Sequence, residues 1–222
     1  MLVRNHMTSD PVTADLKTTY AEARELMREN RIRRLPILNR GELVGIVVEK
    51  DLLSNQPSPA TTLSVYEMLS LLERLTLGQI MTRPVVTVEG DCPMEEAARI
   101  MVTRKIGCLP VMKAGKLVGI ITETDIFKTL VEVLGGEETG TRLVLRLPER
   151  KGELARTTAQ IAEAGGNIIA VTTSRILEDS QREVTIKESG ADPDTLKNLL
   201  KSSGTAIIDL RSSAPYQPRL FG

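Results

Sequence analysis

Aromatic side chains are scarce. The chain has no tryptophan, three tyrosines and two phenylalanines, so it lacks the stacking platforms on which proteins hold single-stranded nucleic acid. Its charge leans to neither sign. The 29 basic residues balance 29 acidic ones, leaving no general basic field to draw the protein onto a polyanion. Both absences argue against a nucleic-acid partner. Histidine occurs once, at His6, and cysteine twice, at Cys92 and Cys108, without CxxC spacing. That inventory builds neither an ordinary zinc site nor a His-dependent nucleophilic triad, so no metal, catalytic residue or catalytic cofactor is expected. No apolar run reaches the roughly 18 residues that span a bilayer, and Met1 to Asp10 lacks the apolar core of a signal peptide. The expected setting is cytoplasmic, with no membrane partner.

What the chain does have is a repeat. Sliding the 222 residues on themselves by 74 aligns Met7-Thr8 with Met81-Thr82, Thr13 with Thr87, and Leu35-Pro36 with Leu109-Pro110. Between Ile32 to Asp51 and Ile106 to Asp125, 10 of 20 positions are identical, far beyond chance. Each copy has the same internal order. A short β-type run (PVT, PVVTV) precedes a helix, Tyr20 to Asn30 or Met94 to Arg104, with Ala23, Leu26, Met27 and Ala97, Ile100, Met101 at helical spacing. Two strands follow around a tight turn at Arg40-Gly41 or Ala114-Gly115. A second helix comes after Asp51 and Asp125. Such a unit has one apolar sheet face, which the other unit can cover. Between the copies lie a Pro/Ser loop, Gln56 to Ala60, and a helical run from Leu63 to Leu75.

The end of each repeat bears on chemistry. GIITETD (Gly119 to Asp125) has an earlier near-copy in GIVVEKD (Gly45 to Asp51), where valine replaces the threonine. Two readings fit Thr122-x-x-Asp125. As [ST]-x-x-[DE] it is a capping box that satisfies free amides at a helix start. The same geometry suits an anion, since a helix N terminus offers amides and a hydroxyl adds a donor. Gly119 would admit a ligand close to the backbone, and Asp125 suits a vicinal diol such as ribose.

Two copies of helix, LP-hairpin and G-h-x-[ST]-x-x-D resemble a tandem pair of CBS domains, a Bateman module, across residues 1–134. The resemblance implies adenine nucleotides or related adenosyl ligands in clefts between the repeats. It places Asp125 on the ribose, Thr122 near phosphate beside Gly119, Ile120 in the base pocket and Thr13 at the adenine edge. Asp51, Gly45 and Thr87 are the matching positions of the other copy, where Val48 lacks the hydroxyl. Arg33 and Arg34 stand where such proteins set cations against phosphate, while the second copy has Gly107 and Cys108. Each cleft then resembles half of a site, one with cations and one with the hydroxyl. AMP, ADP and ATP are the expected regulatory ligands.

Beyond Leu134, GGEETG reads as a flexible acidic joint. From Thr141 the pattern is strand, Gly-containing turn, helix, strand, then a strand in REVTIKE, a helix from Pro193 to Ser202, and a strand in TAIIDL. The order βαββαβ implies an antiparallel four-stranded sheet with two helices on one face. LPERKGEL and GGNI give this segment a resemblance to an ACT domain, a ferredoxin-like fold that often binds amino acids. The resemblance implies a possible amino-acid site at Glu149, Gly152, Leu154, Asn167 and Ile168; Gly152 and Asn167 are also ordinary turn formers.

The expected fold is thus α+β: CBS repeat 1 at 1–57, a joining loop and helix at 58–75, CBS repeat 2 at 76–134, a linker at 135–140, an ACT domain at 141–211 and a disordered tail at 212–222. That domain order resembles the acetoin utilization protein AcuB group. It implies a non-enzymatic regulatory sensor, homodimeric, that binds an adenosine nucleotide and an amino acid and controls a separate effector protein. An assembly module with empty clefts is the alternative.

Overall fold

The structure, a computed structural model, describes residues 1–55, 67, 72, 74–176 and 180–212. The Pro/Ser loop, most of the joining helix and the tail past Ser212 lie outside the described residues. The chain forms two compact units, Met1–Phe127 and Lys128–Gly222.

The first unit opens with a 3-10 turn, Val3–Asn5, and strand β1, Thr8–Ser9, then β2 (Ala14–Asp15), α1 (Tyr20–Glu29), β3 (Arg34–Asn39), β4 (Glu42–Val48) and α2 (Glu49–Ser54). The second copy supplies α3 (Leu77–Ile80), β5 (Val88–Glu89), α4 (Met94–Arg104), β6 (Cys108–Lys113), β7 (Lys116–Thr122) and α5 (Glu123–Val133). Thr19 caps α1 by accepting from Glu22 N, while the Glu22 carboxylate accepts from Thr19 N at 2.8 Å. Arg40 and Gly41 have φ of 52° and 87°, and Ala114 and Gly115 have 49° and 77°. Both hairpin turns therefore place two residues in the left-handed region, the geometry that matches strand twist. The short strands begin later than the PVT and PVVTV runs. The second helices start at Glu49 and Glu123, so Asp51 and Asp125 fall at their third positions rather than before them.

The repeats are not self-contained as the pattern suggested. Strand β1 leaves its own copy and pairs antiparallel with β7, Thr8 against Ile120, in a sheet ordered β1-β7-β6-β5. Thr82 returns the exchange by bridging Ile46 beside the sheet β2-β3-β4, with Thr82 N donating to Ile46 O at 2.9 Å. The cores are exchanged too. Val3 is buried with Val88, Met94, Leu109 and Ile121 of the second copy, and Leu77 is buried with Tyr20, Leu35, Ile37 and Val47 of the first. Neither core closes without a segment of the other copy.

The second unit contains β8 (Thr141–Pro148), α6 (Glu153–Glu163), β9 (Asn167–Ile176), β10 (Gln181–Ser189), α7 (Pro193–Ser202) and β11 (Ala206–Ser212). Its antiparallel sheet runs β11-β8-β10-β9. Ile161, Leu196 and Leu200 of the helices bury against Leu143, Leu145, Val184 and Ile186 of the strands, so both helices cover one face. Asp192 caps α7 by accepting from Thr195 N at 2.8 Å ahead of Pro193, a favoured start. The GGEETG segment is held rather than loose. Lys187, 8% exposed, donates through Nζ to Gly135 O at 2.6 Å and to Glu138 O. A Cβ on Gly140 would stand 2.2 Å from Glu188 O, so only glycine fits there.

Candidate functional site

The ends of β7 and β4 are built alike. At α5, Asp125 Oδ2 accepts from Thr122 N at 2.9 Å and from Thr122 Oγ1 at 2.7 Å, and Asp125 N donates weakly back to Thr122 Oγ1 at 3.4 Å. At α2, Asp51 Oδ2 accepts from Val48 N at 2.9 Å, and valine omits the hydroxyl half. The cap is therefore present in both copies, complete only in the second. In this arrangement the Thr122 hydroxyl donates to Asp125. Among the described residues Asp125 Oδ1 takes no part in the cap.

Thr122 and Asp125 line a cleft of about 400 Å³ whose walls come from both copies. The second copy gives Ile120, Thr122, Thr124 and Asp125; the first gives Thr8, Asp10, Pro11 and Val12 together with the stretch Asn30 to Arg34. The hydroxyl and the cations thus share one cleft, and the expectation of two half-sites is overturned. The β1 exchange is the reason, because it carries the first copy's N-terminal stretch to Ile120. Ile120 is 7% exposed and gives the cleft an apolar wall. Asp10, Arg31 and Thr124 were not foreseen as lining residues; nothing in the 74-residue alignment shows which walls face each other.

The glycines face the exchanged segments, and Thr13 lies beside the cleft. A Cβ on Gly119 would lie 2.4 Å from Met7 Sδ, and one on Gly45 would lie 2.2 Å from Met81 Sδ. Both leave room for a methionine of the exchanged segment. Thr13 lines an adjoining groove of about 840 Å³ with Leu38, Arg40 and Lys116, which shares Asp10 and Pro11 with the cleft of Thr122. Thr87 is exposed just ahead of β5.

Arg33 is exposed, whereas Arg34 is half-buried and reaches toward the second copy. Its Nη2 lies 3.7 Å from Glu123 Oε2. It also approaches Cys108, the residue that matches it in the other repeat. Burial pushes the Cys108 thiol up to about 11; the guanidinium of Arg34 opposes the rise and the Glu123 carboxylate adds to it.

In the second unit Glu149 accepts from Arg182 Nη2 at 2.8 Å and from Arg175 Nη2 at 3.3 Å. The Arg182 bond, with Arg175 beside it, holds the Glu149 carboxyl below its usual range. Glu149 and Leu154 line a cavity of about 300 Å³. Gly152 has φ of 88° at the start of α6 with open space where a Cβ would point, so it serves the turn. Asn167 and Ile168 begin β9, past the other end of that 11-residue helix, about 16 Å away at 1.5 Å per residue. One protomer does not bring them together with Gly152.

Among the described residues no group of three or more His, Cys, Asp or Glu is placed to hold a metal, and no helix is long and apolar enough to cross a membrane. Residues 3–58 and 77–132 match the CBS domain family. A CBS domain-containing protein of Dictyostelium discoideum is 35% identical over 136 residues, covering 60% of this chain and 94% of that protein. Other curated relatives are longer: the chain spans 32% of one from Methanocaldococcus jannaschii and 45% of one from Thermofilum pendens. Among solved structures, a Vibrio cholerae protein assigned as an acetoin utilization protein (AcuB) is 33% identical with a TM-score of 0.51, over 62% of this chain and 97% of that one. CBSX2 in complex with AMP is 28% identical with a TM-score of 0.50, over 60% and 97%. The family matches span half of the 222 residues: the chain belongs to the CBS domain family.

Proposed function

We propose that this protein is a non-enzymatic regulatory sensor that binds an adenosine nucleotide of the AMP, ADP or ATP class in the cleft of Thr122 and Asp125. The observation that carries the reading is the convergence in that one cleft of a carboxylate, an apolar wall and three arginines from the facing copy. Asp125 Oδ1 accepts from the ribose hydroxyls while Oδ2 stays in the cap. The base lies along Ile120, Val12 and Pro11. Arg33 and Arg31 meet the phosphate, where a guanidinium donates in a fork and an exposed one is free to move. The volume of about 400 Å³ lies within the range of about 300–1,000 Å³ common for small-molecule sites. The AMP complex of CBSX2 supports the choice of ligand.

The C-terminal unit is, on this reading, an ACT-type ferredoxin-like domain, which its βαββαβ order and sheet order support. An amino acid held by both Gly152 and Asn167 requires two copies of the chain, which favours a homodimer. The regulated partner is an enzyme or transporter in another chain, in a cytoplasmic setting, and the likeness to AcuB supports a link to acetoin metabolism.

The alternative is an assembly module with empty clefts. It draws on the exposed Leu130, Val131 and Leu134, an apolar surface a second copy would cover. Thermal melting with AMP, ADP, ATP, S-adenosylmethionine and NAD separates the two. Stabilisation by a phosphate-bearing adenosine ligand that saturates with concentration supports the sensor; unchanged melting together with a concentration-dependent oligomer supports assembly.

A further inference from the structure

We infer that Glu123 sets the cleft's preference for ligand charge by holding Arg34 away from the phosphate position until an anion displaces it. The inference rests on the nucleotide reading above. Arg34 lines the cleft with Thr122 and Asp125, yet its Nη2 sits 3.7 Å from Glu123 Oε2 and beside the second copy's Gly107. The two groups meet unequal solvent. The Arg34 side chain is 17% exposed and that of Glu123 is 56% exposed, so the carboxylate is the partner that water replaces more easily. An ion pair 3.7 Å long with one exposed partner holds weakly, and a phosphate offers a shorter, charge-assisted alternative.

The seat is specific to this pair of residues. Gly107 leaves room for Nη2 and Glu123 Oε2, which would stand 2.7 Å and 2.8 Å from a Cβ there. Its counterpart in the first copy is Arg33, and the counterpart of Arg34 is Cys108. Cations at both matching positions would repel each other. With Glu123 engaged, Arg34 is neutralised and Arg31 and Arg33 alone are left to meet a phosphate. Once a phosphate takes Arg34, Glu123 is released at the first position of α5, the helix that ends the second repeat.

The test is isothermal titration of adenosine, AMP and ATP into the full chain, Glu123→Gln, and Glu49→Gln. Glu49 is the matching residue of the first copy and controls for net charge. We expect Glu123→Gln to tighten AMP and ATP by about threefold to fivefold, the scale of one exposed ion pair, with adenosine unchanged and Glu49→Gln like the parent. On an Arg34→Met background the Glu123→Gln gain disappears, as coupled residues require. Equal tightening of adenosine and AMP, no change, or a gain that survives Arg34→Met overturns the inference while leaving the nucleotide reading intact. Folded protein that binds none of the three overturns the nucleotide reading and this inference with it.

Discussion

The guanidinium of Arg34 lies where a side chain on Gly107 would begin: a Cβ at 107 would stand 2.7 Å from Arg34 Nη2. The two residues come from different repeats and explain why the repeats differ at this point. An arginine that reaches across needs a small residue to receive it, so the second copy has glycine where the first has Arg33.

The glycines of the first unit therefore differ in what they tolerate. Gly107→Ala meets the ends of two flexible side chains, which swing aside. Gly119→Ala meets Met7 Sδ at 2.4 Å and the Thr8 carbonyl at 3.0 Å, in a buried strand. Chemical denaturation is expected to show a loss of about 1–3 kcal/mol for Gly119→Ala, the usual cost of overpacking, and a smaller loss for Gly107→Ala.

Thr122→Val rewrites the second cap as the first. Val48 shows that the fold accepts valine there, with the backbone bond to aspartate kept at 2.9 Å. The variant should fold, lose about 0.5–1 kcal/mol through the missing hydroxyl, and still bind nucleotide, since the hydroxyl proton belongs to Asp125. Loss of binding in a folded Thr122→Val variant would show that the hydroxyl does reach the ligand.

Cys108 makes stability depend on alkaline pH. Its thiol is raised from 9.0 to about 11, chiefly by burial. A raised value means that the neutral thiol is favoured in the folded state. Its contribution is complete below pH 9 and is lost as pH rises toward 11, because the unfolded chain deprotonates first. Denaturation curves are expected to show a decline of about 2–3 kcal/mol across that window, and Cys108→Ala should flatten it. The same burial predicts that iodoacetamide at pH 8 modifies Cys108 only after unfolding.

Lys187 anchors the segment that enters the second unit. Lys187→Met keeps the buried stem and deletes the donors to Gly135 O and Glu138 O. We expect a loss of about 1–3 kcal/mol from the stranded carbonyls, with faster amide exchange over residues 135–140 than elsewhere in that unit. Unchanged exchange there would mean that the segment is held by other contacts.

Much of this architecture was legible because it is local. Alternating apolar residues, the Arg40-Gly41 and Ala114-Gly115 turns and the Pro193 start each act within a few residues, and the elements formed around them. The exchange of β1 was not legible. Thr8 and Ser9 carry no pattern that names β7 as their partner, and the decision rests with Val3 and Leu77, each buried in the other copy's core. The candidate cleft inherits that blind spot. Comparing Arg33-Arg34 with Gly107-Cys108 position by position ranks the copies against each other, whereas the fold sets Arg33 and Arg34 in one cleft with Thr122 and Asp125. The GGEETG run looked loose because its restraint, Lys187, lies about 50 residues further along the chain.

On the proposed reading one cleft, formed by Asp125 and the first copy's arginines, holds the nucleotide. Isothermal titration of AMP into the parent protein, Asp125→Ala and Asp51→Ala tests it most directly. Measurable binding is expected, lost in Asp125→Ala and kept in Asp51→Ala, with both variants folded. Binding that survives Asp125→Ala, or that depends on Asp51 instead, would contradict it.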